Sequence, residues 1–151
     1  MSSYTVAVPD IVAGGDPQTL VNIFSVAGLS RGKINNIIVS SGAAPDDQAN
    51  NFEVKRTTGV GTEGAGVTPN PLDPDTKASA FDAGEGHSVE PTETAASELL
   101  AFSINQRATF SWLANPGSEI IMPATTNNGC SVVRRSGTGQ YVIDCTVIFE
   151  E

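Results

Sequence analysis

The sequence predicts an all-β protein: an antiparallel β-sandwich of about eight strands with long loops, jelly-roll-like rather than immunoglobulin-like. Three observations lead there. Charged residues make up only 17% of the 151 residues, and the polar remainder is rich in the Gly, Pro, Ser, Thr and Asn of turns. The apolar residues fall in short runs of period two, rich in β-branched side chains. No stretch of useful length keeps the 3.6-residue period of a helix.

Taken in order, Tyr4 to Val8 reads as a short strand closed by Pro9-Asp10, and Gly14-Gly15-Asp16-Pro17 as a turn. Leu20 to Val26 and Ile34 to Val39 are apolar runs of strand length. Phe52 to Thr58 alternates, with Phe52, Val54 and Arg56 on one face and Glu53, Lys55 and Thr57 on the other. The stretch 59–75 carries Gly59, Gly61, Gly64 and Gly66, then Pro69, Pro71 and Pro74. A loop of that length is usually functional or mobile. It and residues 1–18 are the candidates for extended arms on a single domain spanning 1–151.

Lys77 to Ala83 and Ser88 to Glu90 are short strand candidates, and Thr94 to Leu100 reads as one helical turn with Thr94 as its cap. Leu100, Phe102 and Ile104 then alternate with Ala101, Ser103 and Asn105, and Ala108, Phe110 and Trp112 keep the same phase. This allows one long strand bent at Asn105-Gln106. Asn115 to Ser118 and Thr126 to Gly129 are turns around a strand at Glu119 to Pro123. The C-terminal third ends in an expected hairpin around Ser136-Gly137-Thr138-Gly139. Its register would set Arg134 against Tyr141, Val132 against Ile143 and Cys130 against Cys145. Tyr141, Ile143, Cys145, Val147 and Phe149 share one side and form the best core face of the sequence.

Charge narrows the function. The formal net charge is −9, with eight Lys and Arg scattered along the chain. Counterion release on nucleic acid requires clustered cations, and anionic membranes attract them too, so neither is an expected partner. No apolar run approaches the ~20 residues of a membrane-spanning helix. The first residues lack the basic and apolar regions of a signal peptide, so synthesis in a cytosol is expected. Seven acids stand against one base, Lys77, between Asp73 and Glu98.

The residue types that carry chemistry form no constellation in the sequence. Cys130 and Cys145 lack Cys-x-x-Cys spacing, and with one histidine they cannot make a four-ligand zinc site. They read as small core hydrophobes, with a disulfide as the alternative. His87 lies in an acidic glycine-rich segment without a Gly-x-Ser-x-Gly nucleophile motif. Asp73, Asp75, Asp82, Glu85, Glu90 and Glu93 lack EF-hand spacing and read as a solvated surface or a patch for a basic partner. Gly59 to Gly64 lacks the Gly-Lys-Ser/Thr ending of a phosphate loop. Arg107, Arg134 and Arg135 read as partner contacts or as a protected sheet edge. The expectation is therefore no enzyme, no catalytic residue, no metal and no cofactor.

Several phrases carry a resemblance. They are Phe52-Glu53-Val54-Lys55-Arg56-Thr57-Thr58, Val67-Thr68-Pro69-Asn70-Pro71-Leu72-Asp73-Pro74 and Asn105-Gln106-Arg107-Ala108-Thr109-Phe110-Ser111-Trp112. Asn115 to Glu119, Pro123 to Gly129 and the closing Val147-Ile148-Phe149-Glu150-Glu151 complete the set. Over roughly residues 50 to 151 the chain resembles the capsid decoration (cement) proteins of tailed bacteriophages. The resemblance implies a β-sandwich structural protein on the virion, a homotrimer that clamps neighbouring major capsid protein subunits. Arms that order on assembly would add interface at an entropic cost. The rival expectations are a tail or surface module recognising a receptor or glycan, and a hydrolase or isomerase. Most of the nine aromatics already fit core faces, leaving few for a sugar platform, and no nucleophile–base pair is visible.

Overall fold

The computed structural model describes residues 1–12, 14–137, 139 and 141–151. The strands are β1 (Ser3–Val12), β2 (Gln18–Ser25), β3 (Gly32–Ser41), β4 (Ala49–Gly59), β5 (Ala65–Val67) and β6 (Asn70–Pro71). They continue with β7 (Phe81–Glu85), β8 (Thr92–Asn105), β9 (Phe110–Leu113), β10 (Ile120–Met122), β11 (Gly129–Gly137) and β12 (Val142–Glu150). Two antiparallel sheets form a β-sandwich, as the composition and period predict. One sheet has the order β10-β3-β12-β1-β6, with β9 also on β3; the other has the order β5-β7-β2-β11-β4-β8.

The connectivity is nested. The first strand pairs with the last, β1 with β12, and β2 pairs with β11. Strand β3 takes β9 and β10 along one edge, and β4 takes β8. The twelve strands are therefore eight principal ones, the sixth broken into β9 and β10, plus the short β5, β6 and β7. The core lies between the sheets. Tyr141, Ile143, Cys145, Val147 and Phe149 are all buried, as the alternation requires, and meet Val21, Ile23, Phe52, Val54 and Val132 in the same cluster. Tyr4, Phe149 and Phe81 form a chain of ring contacts, stacked and then edge-on, with centroids 5.5 and 5.6 Å apart.

Four expectations are corrected. First, β11 and β12 do not form a hairpin: β11 lies between β2 and β4, and β12 between β1 and β3, in opposite sheets. Cys130 thus pairs with Ile23 and Arg56, while Cys145 pairs with Val8 and Val39. An alternating strand buries its apolar face equally well against a ladder neighbour or across the sandwich, so alternation cannot choose between them. The centre of the expected turn, Thr138, lies outside the described residues, as do Ala13 and Gln140. Second, residues 100–112 are not one strand: β8 belongs to one sheet and β9 to the other, and the chain crosses at Gln106–Thr109.

Third, Thr94–Leu100 is part of β8 and not helical. The local bond from Ser97 Oγ to the Thr94 carbonyl, 2.6 Å, and the positive φ of Ala96 mark an irregular strand. Fourth, the segments expected as arms or loops contribute strands, most of 1–18 through β1 but only a few residues of 59–75, the rest of which is loop. Ser3–Val12 is ordered between β12 and β6, and 65–67 and 70–71 form β5 and β6. Polar spacing hid β5 and β6, because each borrows its order from a longer neighbour.

Arg134 is the largest buried polar side chain, 2% exposed. Its expected role as a surface cation is therefore overturned. Nε donates to Asn50 Oδ1 at 2.8 Å, and Nη1 donates to the Gly15 carbonyl at 3.0 Å and pairs with Asp16 at 3.0 Å. The guanidinium thus fastens the turn before β2 to β4 and β11. Removing it strands the buried Asn50 acceptor, at roughly 1–3 kcal/mol for an unmade bond, and leaves the volume of a large core side chain unfilled. The Gly15 carbonyl belongs to an exposed residue and can turn to water. Asp16, which is 40% exposed, can return to water. Arg134→Ala is therefore expected to lower unfolding free energy by about 2–4 kcal/mol in urea titration, and Asp16→Asn by less than about 1 kcal/mol. Equal losses for the two variants would show that the pair, and not the hydrogen-bonded guanidinium, carries the contribution.

Candidate functional site

The residues singled out for chemistry do not converge. Cys130 and Cys145 are free thiols buried in the core. Burial pushes each thiol up to about 12, which removes the thiolate needed for nucleophilic or ligand chemistry. Asp73 caps the turn at Asp75 and Thr76, Asp82 accepts from the Ala83 amide, and Glu93 pairs with Lys55 at 2.8 Å. Among the described residues, no three His, Cys, Asp or Glu side chains gather as metal ligands.

The glycine-rich segment 59–64 and the segment 86–91 instead clasp each other over the sheet that contains β2. Thr62 and Val89 form a bridge, the Ser88 amide donates to the Thr62 carbonyl at 2.8 Å, and the Gly64 amide donates to the Glu85 backbone carbonyl at 2.9 Å. Glu90 accepts from the Thr19 amide at 3.0 Å and from the Thr19 hydroxyl. Glu63 packs on Gly84, the ladder partner of Asn22. Beneath this clasp lies a polar layer: Thr19, Asn22, Thr57 and Ser131 are all at most 1% exposed. Thr57 Oγ1 donates to Asn22 Oδ1 at 3.0 Å. Among the described residues, Asn22 Nδ2 and Ser131 Oγ have no hydrogen-bond partner. Burial pushes His87 below its ordinary value, against the pull of Glu90, Glu63 and the Val60 backbone.

Surfaces are more informative than these groups. On β4, the Glu53-x-Lys55 alternation aims both side chains outward, and Lys55 meets Glu93, Glu53 and Glu98 at 2.8, 3.5 and 3.5 Å. Arg135 pairs with Glu53. A shallow depression of about 500 Å³ adjoins this network, floored by Ala101 and bordered by Asn51, Ser103 and Ser136. Asn51 links Ser136 and Ser103 across three strands. At one end of the sandwich, Val26, Ala27, Leu29, Pro69 and Phe81 line an apolar groove of about 310 Å³. Leu29 is 81% and Val26 52% exposed. Sequence reading missed the groove because it joins residues more than 40 positions apart.

Two measurements check the buried groups. Native protein at pH 8 is expected to leave both thiols unreacted with a disulfide reagent on a timescale of hours, and unfolded protein to titrate two. Rapid native labelling of either thiol would contradict that burial. For His87, a folded-state value below the unfolded one means the unfolded chain binds the proton more readily. Stability is then fully present above about pH 6.5 and falls as pH drops below it. The imidazole resonances of this only histidine should titrate with a midpoint below 6.5, and a higher midpoint would show that the carboxylates outweigh burial.

The chain matches no protein-family model, no curated protein and no solved structure.

Proposed function

We propose that this chain is a structural virion protein, a decoration or cement protein that binds the outer surface of a tailed-phage capsid and reinforces contacts between major capsid subunits. The observation that carries the reading is the apolar groove at the end of the sandwich, with Leu29 and Val26 held out into water on a rigid scaffold. The resemblance of the phrases between residues 50 and 151 to those of decoration proteins supports it. The nested strand pairing supports the jelly-roll form of the sandwich, since that topology requires first with last, second with seventh, third with sixth and fourth with fifth. The homotrimer belongs to the same proposal. So does a virion location, where repeated modest contacts on a lattice add up to tight attachment.

A glycan-binding module fits less well. A sugar platform needs an exposed ring, and no aromatic residue here is fully exposed: Phe24, Phe102, Phe110 and Trp112 are half-buried and the rest are buried. The test is binding to purified shells. The chain is expected to saturate them at a fixed ratio, and Leu29→Asp to weaken binding at least tenfold while leaving the melting transition within a few degrees. Indifference of the wild-type chain to shells, or undiminished binding by Leu29→Asp, would contradict the proposal.

A further inference from the structure

Strand β8 ends its sheet, and its outer edge has no ladder partner among the described residues. It is also the longest strand, 14 residues. Natural sheets protect such edges with charge, proline or bulges. The first half of β8 follows that rule: Glu93 and Glu98 lie there, and the pairing with β4 is broken by register shifts between Val54 and Gly59. The second half does not. From Leu99 to Gln106 there is no charge and no proline, and Ala49–Val54 pair with Leu100–Asn105 without interruption.

The seam beside this open edge is apolar. Leu100, Phe102 and Ile104 of β8, and Trp112 of β9, pack on the core yet remain half-exposed. Phe102 stacks on both Phe52 and Phe110, with centroids 5.3 and 3.7 Å away, so the rings bridge the two sheets at this edge. A regular, uncharged ladder edge next to half-exposed rings is a surface built for strand addition.

We infer that the occupant is a second copy of this chain, joined antiparallel through β8 about a two-fold axis at Phe102. The segment is self-complementary. In that register paired residue numbers sum to 204, so Leu100 faces Ile104, Phe102 faces itself and Ala101 faces Ser103. The uncharged run is bounded by Glu98 at one end and Arg107 at the other. Antiparallel pairing brings the Glu98 end of one copy to the Arg107 end of its mate. Arg107 is exposed and has no ion pair among the described residues. Two six-stranded sheets then become one of twelve strands, an isologous contact. The inference stands apart from the capsid reading, and is compatible with a trimer whose β8 edges meet those of neighbouring trimers.

The test is sedimentation of the full chain with charge variants at the two exposed, directly opposed positions. Ala101→Lys with Ser103→Lys sets like charges against each other across the two-fold, and should halve the assembly mass. Ala101→Lys with Ser103→Glu sets opposite charges together, and should restore it. A mass unchanged by the double lysine variant, or not restored by the Lys/Glu variant, would overturn the inference. If the double lysine variant fails to fold, hydrogen exchange of the wild-type chain decides. Amides of 99–105 should gain protection as concentration rises, and concentration-independent exchange there would overturn the inference. Shell binding is measured separately, so the two proposals fail independently.

Discussion

The fold depends on the seating of the C-terminal strand. Strand β12 enters between β1 and β3, and its alternate residues Ile143, Cys145, Val147 and Phe149 are at most 1% exposed. Until it arrives, β1 and β3 have no common neighbour and one half of the core has no floor. Strand β11 does the same between β2 and β4. Both central strands come from the last quarter of the chain, while their neighbours all lie within its first 59 residues. Loop closure over such separations is costly before any contact rewards it, so folding by this route is expected to be slow for the chain length. The backbone of Glu151 pairs with Ser2, and its carboxylate accepts from the Ala80 amide at 3.0 Å, fastening the chain end to both the first strand and the approach to β7.

Given those central strands, the polar features fall into place around them. Arg134 uses its position on β11 to reach the Gly15-Asp16 turn and Asn50. The clasp of 59–64 with 86–91 covers the other side of β2, where Thr19, Asn22 and Ser131 would otherwise face water. The polar cover supplies the Glu90 carboxylate to Thr19, and Asn22 Oδ1 takes the Thr57 hydroxyl within the layer. The charged network of Lys55, Glu53, Glu93, Glu98 and Arg135 then occupies the part of that sheet the clasp leaves open.

What the sequence made legible follows from the range of the physics. Alternation is local, so Phe52, Val54, Leu100, Phe102 and the five-residue face ending at Phe149 were placed on the correct sides of their strands. Turn chemistry is local too, and the breaks at Gly14–Pro17 and Asn115–Ser118 were readable. Partnership is not local. The tight spacing between β11 and β12 suggested a hairpin, although the chain there crosses between sheets. Arg134 looked like a surface cation because its three partners lie at Gly15, Asp16 and Asn50. The apolar groove and the open β8 edge were invisible for the same reason, since exposure is a property of the assembled sheets.

The most direct test of the account is therefore the strand pairing itself, read from cross-strand proton contacts in solution. The nested arrangement predicts backbone contacts from Val147 to Val6 and Ile37, and from Val132 to Val21 and Val54. Backbone contacts between Val132 and Ile143 would instead establish a β11–β12 hairpin, and the sandwich described above would be wrong at its centre.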